Sequence, residues 1–119
     1  MTEGTLPAFQ AHIERTLAVP DSFEKLYATV RALRDIGYSQ VQIYLLLEPA
    51  ILRHLDDADE SLHECLCSVA DNVWCPRGGH GPLELFSRAL TDAEIVEARP
   101  NNIEIRSEEM EKILDVVGR

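Results

Sequence analysis

Basic residues are scarce in this chain. Eleven Lys and Arg stand against twenty-one Asp and Glu, a formal net charge of −10. The deficit is lopsided. Residues 1–55 hold five basic against six acidic side chains (−1), and residues 56–119 hold six against fifteen (−9). A field of that sign repels phosphates and anionic lipid, so nucleic acid and membrane surfaces are not expected partners. Aromatics make up only 6 % of the residues. Alternating β-branched and aromatic stretches, which strands favour, are almost missing. No apolar run approaches the roughly 20 residues of a membrane span. The first residues, Met1-Thr2-Glu3-Gly4-Thr5, show neither the basic nor the apolar region of a signal peptide. Three Cys, an odd number, fit reduced thiols in a cytoplasm better than a disulfide framework. Six Gly and six Pro are too few for a low-complexity chain.

What the chain does have is helical periodicity. Its 119 residues are the usual size of one domain. The expectation is a single helical domain over 1–119, all-α or nearly so: a compact bundle of about six helices around a buried central helix. That helix is placed at Val41–Leu55. Its run Ile43-Tyr44-Leu45-Leu46-Leu47 covers every azimuth, which predicts burial on all sides. Before it, Leu6, Phe9, Ile13 and Leu17 make one stripe, with His12 beside it as a boundary residue. Pro20 ends that helix near Ala18. Asp21 and Glu24 have capping-box spacing ahead of Phe23, Leu26, Tyr27, Val30, Leu33 and Ile36, and Gly37 is the stop. Ser39 and Gln42 form a second capping box, and Pro49 predicts a kink or a fresh start.

Further on, Asp57 and Glu60 repeat the capping spacing before the stripe Leu62, Cys65, Leu66, Val69 and Val73. Trp74 to Pro82 holds three Gly and two Pro and reads as a loop. Leu83, Phe86 and Leu90 suggest a short helix, and Thr91 and Glu94 cap another. Asn102–Arg106 alternates, so one short extended segment or a linker is expected there. Ser107 opens a last helix on Met110, Ile113, Leu114 and Val117, stopped by Gly118.

Two motif readings fail on their chemistry. Leu33…Gly37…Ser39…Val41…Tyr44 has the layout of a helix-turn-helix. However, its second helix offers no Lys or Arg until Arg53, so it lacks the groups that reach phosphates and bases. The acidic turn at Asp56, Asp57, Asp59 and Glu60 lacks the central Gly of a calcium loop. Acids ahead of a helix also have a plain structural use there, worth about 0.3–1 kcal/mol each.

Two candidate sites remain. One is a partner-binding surface of Asp56, Asp57, Asp59, Glu60 and Glu64 together with Trp74, Arg77 and His80 of the following loop. Acidic groups steer a basic protein, and a ringed aromatic anchors it. The alternative is a metal-binding or thiol-dependent protein using His63, Cys67, Cys75 and His80. His63 and Cys67 stand at i, i+4 on one helix face, and a loop Cys and His would complete a tetrahedral zinc site. Cys75 with Arg77 and His80 nearby is also the candidate for an activated thiol. A homodimer closed through one of the helix stripes is a third reading. No catalytic residue is assigned, and no cofactor is expected unless the zinc set assembles.

The segment Leu33–Pro76 also carries a resemblance. It runs through Leu33-Arg34-Asp35-Ile36-Gly37-Tyr38-Ser39, the Tyr44-Leu45-Leu46-Leu47 run, the acidic turn, a helix and Trp74-Cys75-Pro76. This segment resembles small acidic helical bacterial proteins of the immunity or antagonist kind, over about a third of the chain. The likeness implies a non-enzymatic protein that binds and neutralises a toxin or enzyme. It supplies no site residues.

Overall fold

A computed structural model describes residues 5–57, 60–99 and 105–117. Six helices follow one another: α1 Thr5–Leu17, α2 Ser22–Ile36, α3 Gln40–Arg53, α4 Ser61–Trp74, α5 Asp92–Ala98 and α6 Ser107–Val117. Among the described residues there is no strand, and the protein is all-α. Asn102, Ile103 and Glu104 of the expected extended segment lie outside the described residues, as does Gly118.

Local sequence explains most of the boundaries. Gly37 takes φ +122, and its N–H closes on the Leu33 and Arg34 carbonyls, ending α2. Ser39 and Gln42 then make a reciprocal capping box that starts α3. The Thr91 hydroxyl accepts the Glu94 N–H at the start of α5. Two expected caps do not form. Asp21 and Glu60 stand at helix N-termini without a side-chain cap bond, and Asp57 is engaged elsewhere.

The main apolar core is built from α1 to α4 and α6, with α3 lying along α4 and α2 along α6. Its innermost members include Phe9, Ile13, Leu26, Leu33, Ile43, Leu46, Leu47, Leu66 and Ile113. Ile105 joins them, so the residue leading into α6 already points inward. The central helix is buried on most of its surface. Val41, Tyr44 and Leu45 are half-covered.

Pro49 does not interrupt α3, contrary to the expectation of a fresh start. A proline inside a helix costs about 3 kcal/mol. Breaking the helix there would loosen Leu46, Leu47 and Ala50, and each buried aliphatic side chain of Leu size is worth about 1.5–3 kcal/mol. The burial term is the larger, so the helix runs on to Arg53.

A second correction concerns residues 83–90, which do not form a helix. Their backbone groups are taken by distant partners. Tyr27 donates to the Leu83 carbonyl at 2.8 Å, Arg34 to Leu85 at 3.2 Å and Gln40 to Arg88 at 2.8 Å. The Leu85 and Leu90 N–H groups donate to Asn72 and Trp74 of α4. A helix would need those same groups for itself.

Candidate functional site

The acidic turn after α3 is held by a charge network that the sequence spacing does not display. His54 ends α3 and is mostly covered. Its Nδ1 lies 2.6 Å from Asp57 Oδ2, and its Nε2 lies 3.0 Å from both Glu14 oxygens. Arg53 donates to Glu14 through Nε at 3.1 Å and a terminal nitrogen at 2.6 Å. With both ring nitrogens facing carboxylates, only the imidazolium donates to each. The bond to Asp57 raises the His54 pKa, and Glu14 adds to the rise against the opposing effect of burial. Burial pulls the Glu14 carboxyl up, but the bonds from Arg53 and His54 outweigh it and leave it lowered. The network ties α1 to the start of the acidic turn, forty residues away in sequence.

Around this clamp lie exposed Asp56, Glu60 and Glu64, while Asp57 is half-buried as the His54 partner. Asp59 lies outside the described residues. The apolar groups beside the acids are Leu52 and Leu55, 62 % and 56 % exposed. Sequence reasoning assigned both to the continuing helix pattern and missed them as surface. Their signal was position alone, in the last turn of α3 and the turn after it, where the described residues leave both exposed.

Trp74 is not a free anchor. It is half-buried at the last position of α4, edge-on to Tyr44 with centroids 5.5 Å apart. The acidic turn precedes α4, and Trp74 and the Arg77–His80 loop follow it. A 14-residue helix is about 21 Å long, so only a partner running along α4 touches both ends.

The loop itself is internally satisfied. Glu84 accepts N–H bonds from Arg77 at 3.0 Å, Gly79 at 2.8 Å and Gly81 at 3.5 Å. Its carboxylate therefore sits where the glycine-rich backbone would otherwise offer donors to an anion. Burial works against the charge, but those backbone bonds leave the Glu84 carboxyl lowered. Arg77 and His80 are exposed.

Of the four candidate metal ligands, the structure brings two together. Cys67 Sγ lies 3.6 Å from His63 Nε2 on α4. Cys75 instead takes a left-handed backbone (φ 58, ψ 60) and turns into the protein interior. Its Sγ donates to the Asn72 carbonyl at 3.1 Å and accepts the Phe86 N–H at 3.3 Å. Burial pushes both the Cys67 and Cys75 thiols up, away from thiolate. Among the described residues no three His, Cys, Asp or Glu side chains form a group able to hold a metal. No described helix is long and apolar enough to cross a membrane.

A cleft with a volume of about 390 Å³ lies between α1, α2 and α6. Arg15, Lys25, Thr16 and His12 supply its polar wall, and Val19, Leu114 and Val117 its apolar one. His12, expected at a boundary, is 4 % exposed and bonded to the Thr29 hydroxyl at 3.0 Å. The chain matches no protein-family model, no curated protein and no solved structure.

Proposed function

We propose that the protein is a non-enzymatic binding module that docks a basic partner protein on the α3–α4 turn. The observation that carries the reading is the exposure of two leucines at the end of α3, Leu52 and Leu55, together with exposed Asp56, Glu60 and Glu64 in the turn and first turn of α4 that follow. An apolar centre rimmed by charges of one sign suits a partner of opposite charge with its own apolar contact. The His54 clamp holds the turn in place before the partner arrives, which lowers the ordering cost of binding. The −9 charge of residues 56–119 supplies long-range steering. Free thiols at Cys65, Cys67 and Cys75 suit a reducing bacterial cytoplasm. The resemblance to immunity-type proteins points the same way, to an antagonist of a basic toxin or enzyme.

The test is affinity capture at low and high salt, comparing the native chain with Asp56→Lys/Glu60→Lys/Glu64→Lys and with Leu52→Ser/Leu55→Ser. Circular dichroism first confirms that each variant is folded. A basic protein held at low salt, released by high salt and lost from both variants supports the reading. Equal capture by either folded variant removes the α3–α4 turn as the docking surface.

A further inference from the structure

We propose that the cleft between α1, α2 and α6 binds a small carboxylate with a hydroxyl beside the acid group and an apolar body, a 2-hydroxy acid of the size of 3-phenyllactate.

The charge argument comes first. In a chain this acidic, most of the arginines are committed. Arg34, Arg53, Arg88 and Arg99 each hold a carboxylate, and Arg31 lies over the Tyr27 ring. Among the described residues Arg15 and Lys25 form no ion pair, and both line the same cleft. Two unpaired cations on one concave wall attract a carboxylate and repel a metal ion or an amine.

The hydrogen-bond argument fixes what must accompany the acid. The Thr29 hydroxyl donates its proton to the Lys25 carbonyl at 3.0 Å. Its oxygen therefore accepts from His12, which puts the imidazole proton on Nε2. Burial, with Arg15 and Lys25 adding their charge, lowers the His12 pKa and keeps the ring neutral. Nδ1 is left with a lone pair and no protein partner. His12 lines the cleft, and among the described residues no buried side-chain nitrogen or oxygen is left unsatisfied. Thr16 spends its proton on the His12 carbonyl at 2.8 Å and likewise presents only lone pairs. The cleft thus offers acceptors beside cations, which calls for a hydroxyl donor next to a carboxylate.

The third side is apolar. Val19, Leu114 and Val117 give the ligand's body a surface to cover, which an inorganic anion would leave bare. The cleft volume falls at the lower end of the range for small-molecule sites, roughly 300–1,000 Å³.

The experiment is an NMR titration of the full chain with 3-phenyllactate, 3-phenylpropionate and 3-phenyllactamide. The proposal expects saturable shifts at the His12 ring and the Val19, Leu114 and Val117 methyls. Phenyllactate should bind with a Kd on the order of 1 mM, as expected for a ligand of its size. Removing the hydroxyl or the charge should weaken binding by roughly fivefold or more, about 1 kcal/mol. The surface variant Arg15→Gln/Lys25→Gln, folded by circular dichroism, should weaken phenyllactate about tenfold, close to 1.4 kcal/mol. Absence of shifts at these residues overturns the proposal. So does equal binding of the amide, equal binding of phenylpropionate, or unchanged affinity in the double variant.

Discussion

The side-chain amide of Gln40 donates to the main-chain carbonyl of Arg88 at 2.8 Å, across 48 residues of sequence. The same nitrogen also reaches the carbonyls of Val73 at 2.9 Å and Trp74 at 3.3 Å. Gln40 is the first residue of α3 and only 6 % exposed, so it joins the start of the central helix to the end of α4 and to the long loop. Replacing it by Leu keeps the volume but strands the Val73 and Arg88 carbonyls, while the Trp74 carbonyl keeps the Leu90 N–H. Each buried acceptor left unpaired costs about 1–3 kcal/mol. Gln40→Leu should lower the urea midpoint accordingly, and Gln40→Glu should lower it further at neutral pH because a carboxylate has no proton to give. An unchanged midpoint in Gln40→Leu would mean that the loop does not depend on this bond.

His54 and His12 should tilt the pH dependence of stability in opposite directions. The folded pKa of His54 is raised above its ordinary 6.5, so folding holds its proton more tightly. Its contribution is full below about 6.5 and is lost as the pH rises through the folded value. His12 has a lowered folded pKa. It favours the folded state above 6.5, and that advantage is lost as the pH falls through its folded value. Urea midpoints measured from pH 5 to pH 8.5 separate the two. His54→Gln should remove the decline on the alkaline side and leave the acid limb, whereas His12→Gln should remove the gain from pH 5 upward. The same pH dependence in His54→Gln as in the native protein would show that the contacts to Asp57 and Glu14 do not bind the proton.

Short-range chemistry was legible in the sequence, and long-range chemistry was not. Gly37, Ser39 with Gln42, and Thr91 are punctuation read from residues one to three apart, and each stands where its spacing placed it. The stripes of α2, α4 and α6 are periodic because one face of each is buried. The 83–90 segment has the same periodicity without a helix. Tyr27, Arg34 and Gln40 claim its carbonyls from more than forty residues away, and no local pattern records that. The two sites were hidden for the same reason. His54 meets Glu14 across forty residues, and His12 meets Thr29 across seventeen. What the sequence did show of the proposed docking surface was its charge, with Asp56, Glu60 and Glu64 in plain view. Its apolar centre depends on where α3 loses its cover, which only packing decides.

Two adjacent glycines should respond unequally to alanine. Gly79 has φ +92, and a Cβ there would lie 2.8 Å from the Phe86 carbonyl oxygen and 2.8 Å from the Ser87 Cα. Both are backbone atoms of the segment that Glu84 and Gln40 hold in place. Gly78 has φ +64 and open space around its Cβ position. Gly78→Ala therefore meets only the left-handed backbone cost of about 1–2 kcal/mol. Gly79→Ala meets that cost and a backbone collision, and should destabilise the protein by at least about 1 kcal/mol more. Thermal melts of the two variants check the order. Equal melting temperatures would mean that the loop moves aside without cost.

The three thiols should divide by access rather than by acidity. Cys75 is fully buried, its Sγ held between the Asn72 carbonyl and the Phe86 N–H. Cys65 and Cys67 are half-covered on α4, with Cys65 Sγ 3.6 Å from the Ser22 hydroxyl. Attack on a disulfide reagent needs both a thiolate and an open path to it. Burial raises the Cys67 and Cys75 thiols, which slows both, but only Cys75 is closed off as well. Labelling with an aromatic disulfide at pH 8 should therefore modify Cys65 and Cys67 in the folded protein and leave Cys75 until unfolding. Added urea should expose Cys75 with the same midpoint as the loss of helical signal, because its shelter is the packing of α4 against the 83–90 segment. Rapid labelling of Cys75 in the native state would reverse this. It would mean that the loop opens independently of the core, and it would return Cys75, with Arg77 and His80 beside it, to consideration as a reactive thiol.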